Sequence, residues 1–372
     1  MIFKINKREF LDSLTTAVKA ISNTTPLPIL NGIKLIAENN TLTLISSDTN
    51  ISIKTVIKNS EDKEIISISE EGENVIESRY LLDIVRKIDS DTINVEIFDN
   101  SLAKIYGGKS EVKINAMNSY DYPNINFDCS NAPFKFDTYT FFKIVNETAF
   151  ACSEKDTRPV LTGVNFKAKD GKLHVNATDS YRLASKVVDI DSNLDFNITI
   201  PRKYLLNIYH SISNVEEVEI GIDAQKISFM FNNSIIQTRL LDDEFPDVAR
   251  LIPPSFTQKL VVNAKELASA IDRSSFIKAD GKNIVKLTIN EKTVDVTSNG
   301  SNGSSFEEIN VVSFEGNPFE ISCSGKYLTD AIKAMSADEI TFSFSGELKP
   351  LIITDANDPS ITQLISPVRT YR

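Results

Sequence analysis

The chain is written three times over. Arg79-Tyr80-Leu81-Leu82-Asp83-Ile84, Lys203-Tyr204-Leu205-Leu206-Asn207-Ile208 and Lys326-Tyr327-Leu328-Thr329-Asp330-Ala331 superimpose, with their tyrosines 124 and 123 residues apart in a chain of 372. Each continues with apolar residues at helical spacing: Leu81, Ile84, Val85, Ile88; Leu205, Ile208, Tyr209, Ile212; Leu328, Ala331, Ile332, Met335. That pattern is one buried helix face, met three times. Whatever this chain folds into must accommodate three equivalent units.

A second helix repeats in the same order. Phe3-Lys4-Ile5-Asn6, Phe134-Lys135-Phe136-Asp137 and Leu260-Val261-Val262-Asn263 each read as a strand ending in a helix N-cap. Apolar residues follow four and eight positions later, at Phe10 and Leu14, Phe141 and Val145, Leu267 and Ile271. Pro28–Ile33 lies 131 residues before Pro159–Val164, and Asp48 lies at the same offset from Asp179. Asn299 is the expected counterpart in the more diverged third copy. Between helices, runs such as Thr92–Ile97 and Val218–Ile222 alternate like antiparallel strands with one buried face. Each copy therefore reads β-α-β-β-β twice, an α+β fold. Joins are expected near 126–132 and 252–256, where Pro133, Pro253 and Pro254 interrupt the chain. The expected domains are 1–126, 127–252 and 253–372.

Composition excludes several classes. A hydrophobic content of 41% with 24% charged residues fits a globular domain set. No apolar run reaches the ~20 residues a membrane helix needs, and the charged N-terminus is unlike a signal peptide. Cys129, Cys152 and Cys323 are odd in number and far apart, which suits reduced cytoplasmic thiols better than disulfides or zinc. The net charge is −11, yet the six predicted helices together carry +5, leaving −16 for everything else. Mildly basic helices on an acidic body could face a phosphate backbone; exposed helix faces also favour Lys and Arg for solubility alone.

Catalytic chemistry finds little footing. His174 falls on a strand and His210 near a helix end, with no partnering nucleophile. Gly107-Gly108-Lys109-Ser110 resembles the end of a phosphate loop, but Ala103 stands where the first glycine is required, and Glu111–Ile114 alternates like a strand. A hairpin turn is the better reading. Tyr181 and Lys186 are one residue too far apart for a Tyr-x-x-x-Lys pair. Asp242-Asp243-Glu244 with Asp247 could hold a divalent cation or be a solvated loop.

Leu27-Pro28-Ile29-Leu30, Thr178-Asp179-Ser180-Tyr181-Arg182-Leu183, Phe245-Pro246-Asp247 and Pro367-Val368-Arg369, in this order on a threefold repeat, resemble the bacterial DNA polymerase III β subunit, the replicative sliding clamp. The resemblance spans the chain. It implies three tandem clamp domains and a head-to-tail homodimer closing as a ring, with helices inside and sheets outside. Elementary geometry agrees. Six helices packed at ~10 Å enclose only about 9 Å of free space, too little for a duplex whose grooves alone are ~8 Å deep. Twelve enclose about 28 Å, so two chains suffice.

The resemblance further implies a non-catalytic processivity factor without cofactor or metal, resident in the cytoplasm at the nucleoid. Its partners would be encircled duplex DNA, the polymerase III catalytic subunit, the clamp loader, and other clamp-binding polymerases and repair proteins. DNA contacts would fall to Arg79, Arg202 and Lys203, with Lys155 and Arg158 touching single-stranded or tilted DNA. Thr24 and Thr25 stand where relatives often carry arginine. A partner-peptide pocket would be formed by Thr178, Tyr181, Arg182, Leu183, Pro246, Leu251, Pro350, Leu364, Ser366, Pro367, Val368 and Arg369. Ser366 and Val368 replace the methionines common in relatives, and Thr370-Tyr371-Arg372 extends the usual end. The copy–copy interface would set Val112 and Ile114 against Phe276 and Ile277. The competing class is a repeat-built scaffold that binds peptides but does not encircle DNA; a metal hydrolase using Asp242–Asp247 is a third.

Overall fold

A computed structural model describes residues 1–22, 24–25, 27–279 and 281–369, so the Thr370–Arg372 extension lies outside the described residues. Six α-helices occur among them: α1 (Lys7–Ala17), α2 (Ser78–Lys87), α3 (Thr138–Thr148), α4 (Arg202–Tyr209), α5 (Ala264–Arg273) and α6 (Gly325–Ala334). The expected caps start three of them, α1, α3 and α5. Asn6 accepts from the amides of Arg8 and Glu9, Asp137 from Thr140, and Asn263 from Glu266. Each bond satisfies an amide that the first helical turn leaves without a partner. The repeated apolar faces are buried: Leu81 and Val85, Leu205 and Ile208, Leu328 with Ala331 and Ile332. Burying one such leucine contributes about 1.5–3 kcal/mol. α4 stops at Tyr209, so Ile212 is buried from the turn beyond it rather than from the helix.

The described residues gather into two compact units. One comprises residues 1–141 and 203–240, the other 142–202 and 241–372. The first holds a five-stranded sheet, ordered 66–70, 2–6, 92–98, 102–107, 110–115, and an eight-stranded sheet that begins at 134–137 and ends at 72–77. The second holds one twelve-stranded sheet. In each unit a sheet runs on from one repeat into the next. Ser234–Arg239 pairs antiparallel with Ile51–Lys58 in the first unit, and Ile361–Ile365 with Arg182–Asp189 in the second. Of the edges left unpaired among the described residues, two lie near the ends of the repeat array. Ser110–Asn115 ends the five-stranded sheet, and the Gly303–Asn310 half of a long strand pairs only with Thr293–Gly300.

Strand register corrects one expected equivalence. Ser47 faces Ser52, Thr178 faces Leu183 and Asn299 faces Ser304. Counting from those pairs, Gly300 rather than Asn299 occupies the place of Asp48 and Asp179. A side chain there would collide with the Lys278 carbonyl, 2.3 Å from where its Cβ would stand. The third copy therefore has no carboxylate at this position.

Candidate functional site

The second unit contains a small apolar cluster beneath the expected peptide surface. Val160, Leu161, Leu183, Phe245, Val248, Ile352 and Leu364 form one buried cluster. Leu183 lies opposite Leu364, which in turn lies opposite Ile352, so neighbouring strands aim three side chains at one spot. Apolar residues also remain outside: Leu251 is 48% exposed, Tyr181 63% and Leu348 66%. Leu251 ends a short 3₁₀ turn whose amide donates to the Val248 carbonyl, while Asp247 holds Arg250 at 3.0 Å.

A tight turn aims Tyr181 outward. Asp179 Oδ1 accepts from the amides of both Tyr181 and Arg182, Thr178 Oγ1 donates to the Arg182 carbonyl, and Ser180 adopts a left-handed φ of 76°. Short side chains that bond their own backbone are what such a turn requires. Pro246, Pro350, Ser366, Pro367 and Val368 are half-buried, and Arg369 is exposed. Ser366 donates its amide to the Tyr181 carbonyl and Val368 to that of Ser322.

Arg182 differs from its expected role at the peptide surface. Its guanidinium donates to Asp179 Oδ2, Asp330 Oδ2 and the Phe150 carbonyl, and lies 4.4 Å from the centre of the Tyr327 ring. It is 6% exposed and committed to holding α6 against the sheet. Likewise Leu183 and Leu364 form floor rather than rim. The rest of that floor, Val160, Leu161, Phe245, Val248 and Ile352, is missing from the residues expected for the pocket. Only Phe245-Pro246-Asp247 marked the spot.

The basic residues divide. Arg79, Lys155, Arg158 and Lys203 are exposed. Lys203 lies 3.7 Å from Asp48 and against the Tyr204 ring. Arg202 is half-buried, and its positive charge reaches the Cys152 thiol; burial nevertheless pushes that thiol up to about 12. Thr24 is exposed, and its hydroxyl bonds Ser22 at 3.1 Å. Gly107–Ser110 closes a strand hairpin, with Gly108 at φ 56°, and a strand follows it.

On the Ser110–Asn115 edge, Val112 and Ile114 are half-buried; Phe276, just beyond α5, is 66% exposed. Ile277 is only 3% exposed, with its Cδ1 beneath the turn at Gly303. It is a packing residue of the second unit, and Phe276 alone of that pair is presented. Phe306, 65% exposed on the strand edge, was not anticipated. A groove of about 440 Å³ beside the other edge is lined by residues of α2 and by Ser110 and Val112.

Helix-backed sheets running from repeat to repeat, an apolar cluster beside exposed Tyr181 and Leu251, and exposed basic residues at helix starts fit a repeat-built binding protein of the DNA-clamp class. The described residues bring together no cluster of His, Cys, Asp and Glu able to hold a metal ion. Models of the DNA polymerase III beta subunit match its N-terminal domain to residues 1–126, its central domain to 135–247 and its C-terminal domain to 249–369. The beta sliding clamp of Bacillus subtilis is 36% identical over the whole of both chains, and that of Staphylococcus aureus 34%. The crystal structure of the B. subtilis DNA polymerase sliding clamp superimposes with a TM-score of 0.95 at 35% identity, covering both chains entirely. That of Streptococcus pneumoniae DNA polymerase III beta chain also gives 0.95, at 32% identity over 99% of this chain and all of that one. The chain belongs to the DNA polymerase III beta subunit family, and it is a DNA sliding clamp. These matches favour the clamp over a scaffold that leaves DNA unencircled.

Proposed function

We propose that two copies close head to tail into a ring around duplex DNA, and that the apolar site of the second unit receives apolar segments of replication proteins. Support for the ring is the match between two of the unpaired edges, Ser110–Asn115 and Gly303–Asn310. One is of the kind that closes the sheets at Ser234–Arg239 and Ile361–Ile365; the other is of the kind those strands pair with. Matching edges on opposite ends of a repeat chain give a heterologous contact that ends only by closing. Closure would also remove the open edge, which is otherwise a site for aggregation.

Processivity then comes from topology. Arg79, Lys203, Lys155 and Arg158 would attract phosphates weakly and through water, because tight contacts would act as a brake. Residues 1–126, 127–252 and 253–372 would be the three domains of the half-ring. The polymerase catalytic subunit and the clamp loader would compete for the site around Leu251 and Tyr181, holding one apolar anchor over the Leu183–Leu364 floor. Loading the chain onto nicked circular plasmid and then cutting the plasmid tests the ring. A clamp stays on the circle through gel filtration and is lost once ends exist; equal retention on both forms would rule encirclement out.

A further inference from the structure

Sheets run on from repeat to repeat at two joins inside the chain, Ile51–Lys58 with Ser234–Arg239 and Arg182–Asp189 with Ile361–Ile365. The turn entering each join is built alike. In the first, Asp48 Oδ1 accepts from the amides of Asn50 and Ile51, the Ser47 hydroxyl donates to the Ile51 carbonyl, and Thr49 has a left-handed φ of 80°. Asp179, Thr178 and Ser180 repeat these features in the second. Asn50 therefore stands where Tyr181 does, and Ile51 where Arg182 does. The two turns share a backbone and differ in the side chains they carry.

Behind the turn, the joins are closed differently. In the first, the Tyr204 hydroxyl donates to Asp48 Oδ2 at 3.2 Å, and Asn207 Nδ2 donates directly to the Lys19 carbonyl at 2.9 Å. The Ile51 side chain is simply packed away. In the second, Asp330 occupies the place of Asn207, and Phe150 that of Lys19. A carboxylate has no proton to give the Phe150 carbonyl. Arg182 spans the gap. Its Nη2 donates to that carbonyl at 2.8 Å, Nη1 to Asp330 at 2.7 Å and Nε to Asp179 Oδ2 at 3.0 Å. The rings of Tyr327 and Phe150 flank it, their centres 4.4 and 5.4 Å from the guanidinium carbon. One side chain thus ties the Asp179 turn to α6 and to the 3₁₀ turn Ala149–Ala151 that follows α3.

We propose that Arg182 is a positioning residue of the peptide site: buried away from any partner, it fixes the Asp179 turn so that Tyr181 is presented in one orientation. The inference rests on the reading of Tyr181 and Leu251 as the rim of that site. The first join, which lacks the arginine, presents exposed Asn50 and no aromatic ring. The second presents Tyr181, and ordering a mobile aromatic turn during binding would subtract from affinity. A guanidinium suits the task because its donors lie in one rigid plane and reach three acceptors at once. Neither lysine nor isoleucine can do so. Arg182 touches no bound segment and acts through the Asp179 carboxylate, which holds the Tyr181 amide at 3.0 Å.

The test gives the second join the pattern of the first. Arg182→Ile with Asp330→Asn, in the full chain, restores a direct amide donor for the Phe150 carbonyl and removes one of the two carboxylates that would otherwise face each other. This variant should melt close to the parent. It should nevertheless bind the purified polymerase III catalytic subunit, immobilised for surface plasmon resonance, about tenfold more weakly. Tyr181→Ala separates positioning from general loosening. Added to Tyr181→Ala, the exchange should weaken binding no further, whereas structural damage alone would weaken both backgrounds by the same factor. Should the exchanged chain fold poorly, Arg182→Lys keeps a cation beside both carboxylates; it should show a smaller loss that Tyr181→Ala likewise cancels. Parent affinity in whichever variant folds, or equal losses in both backgrounds, would overturn the proposal and leave the peptide site standing. Parent affinity in Tyr181→Ala and in Leu251→Ala would overturn the reading of the site, and the proposal with it.

Discussion

Tyr204 Oη lies 3.2 Å from Asp48 Oδ2, tying the start of α4 to the strand turn that precedes the first internal join. Burial pushes the phenol up to about 12, and the Asp48 charge adds to the effect. Tyr327 stands in the corresponding place on α6, where burial and then the Asp179 charge raise its phenol. Tyr80, the third of the set, is 52% exposed. In the third copy, the position of Asp48 and Asp179 is taken by Gly300, which carries no carboxylate. Tyr204 and Tyr327 are half-buried beside the carboxylates of Asp48 and Asp179, whereas Tyr80 is exposed and the third copy offers no such carboxylate.

Replacing Tyr204 by Phe should lower stability by about 1 kcal/mol, the usual net value of one hydrogen bond, with Asp48 left partly unsatisfied. Tyr80→Phe should leave stability within about 0.5 kcal/mol of the parent, as exposed substitutions generally do. Urea denaturation of both variants compares them; equal losses would mean that Tyr80 has a partner already.

Arg182 is the most heavily bonded side chain of the second join. Arg182→Ala should destabilise the chain by roughly 3–5 kcal/mol, because Asp179 and Asp330 then face each other without a cation. Arg182→Lys should recover only part of that, since one ammonium cannot hold Asp179, Asp330 and the Phe150 carbonyl in a planar fork. Thermal melting followed by circular dichroism reads the loss. Melting unchanged in the alanine variant would show that the join does not depend on this fork.

Acid should loosen the same join through Asp358. Burial works against its ionisation, but hydrogen bonds from Lys143, Lys186 and Ser360 outweigh that and hold the carboxyl well below its usual range. A depressed folded-state pKa means stability that is fully present above the unfolded value and lost as pH falls. Between about pH 5 and pH 3 the parent should lose on the order of 1–2 kcal/mol that Asp358→Asn does not lose. Glu147, raised chiefly by burial, acts in the opposite sense and only reduces the slope. Urea midpoints across that range, parent against variant, give the comparison; parallel curves would exclude Asp358 as the acid-sensitive group.

Much of this architecture was legible in local patterns, and what was not depends on direction. Asn6, Asp137 and Asn263 could be read as caps because a cap bonds amides two or three residues away. The pairing of Ser234–Arg239 with Ile51–Lys58 could not, since alternation tells which face is buried and nothing about the neighbouring strand. A motif likewise located Arg182 without telling that its side chain turns inward to Asp330. Phe276 and Ile277 are adjacent and equally apolar, yet one is presented and the other packed under Gly303. Phe245 and Val248 sit in an irregular segment whose apolar residues follow no period, so their place in the apolar cluster left no trace.

The thiols report burial independently of the joins. Burial raises both Cys152 and Cys323 to about 12, and thiolate is the reactive form. Cys129 is only partly covered, beside Gly221 and Asp223. A disulfide-exchange reagent at about pH 8 should titrate one thiol per folded chain and three after denaturation. Fast reaction of all three in the native state would mean that the sheets over Cys152 and Cys323 open readily.

Exposed and buried members of the proposed peptide site should separate cleanly on mutation. Leu251 and Tyr181 lie on the rim, so Leu251→Ala and Tyr181→Ala should leave melting unchanged. Each should weaken a labelled partner peptide carrying apolar anchors by about 1–3 kcal/mol, the range for truncated interface anchors. Leu364 is 4% exposed and faces Leu183 and Ile352, so Leu364→Ala should cost about 2–5 kcal/mol of folding stability through the cavity it leaves. Its effect on peptide affinity should then scale with the fraction unfolded. Fluorescence anisotropy at a temperature well below every melting point separates the two behaviours. Full affinity in the Leu251→Ala, Tyr181→Ala double variant would place the peptide elsewhere, whatever happens at Leu364.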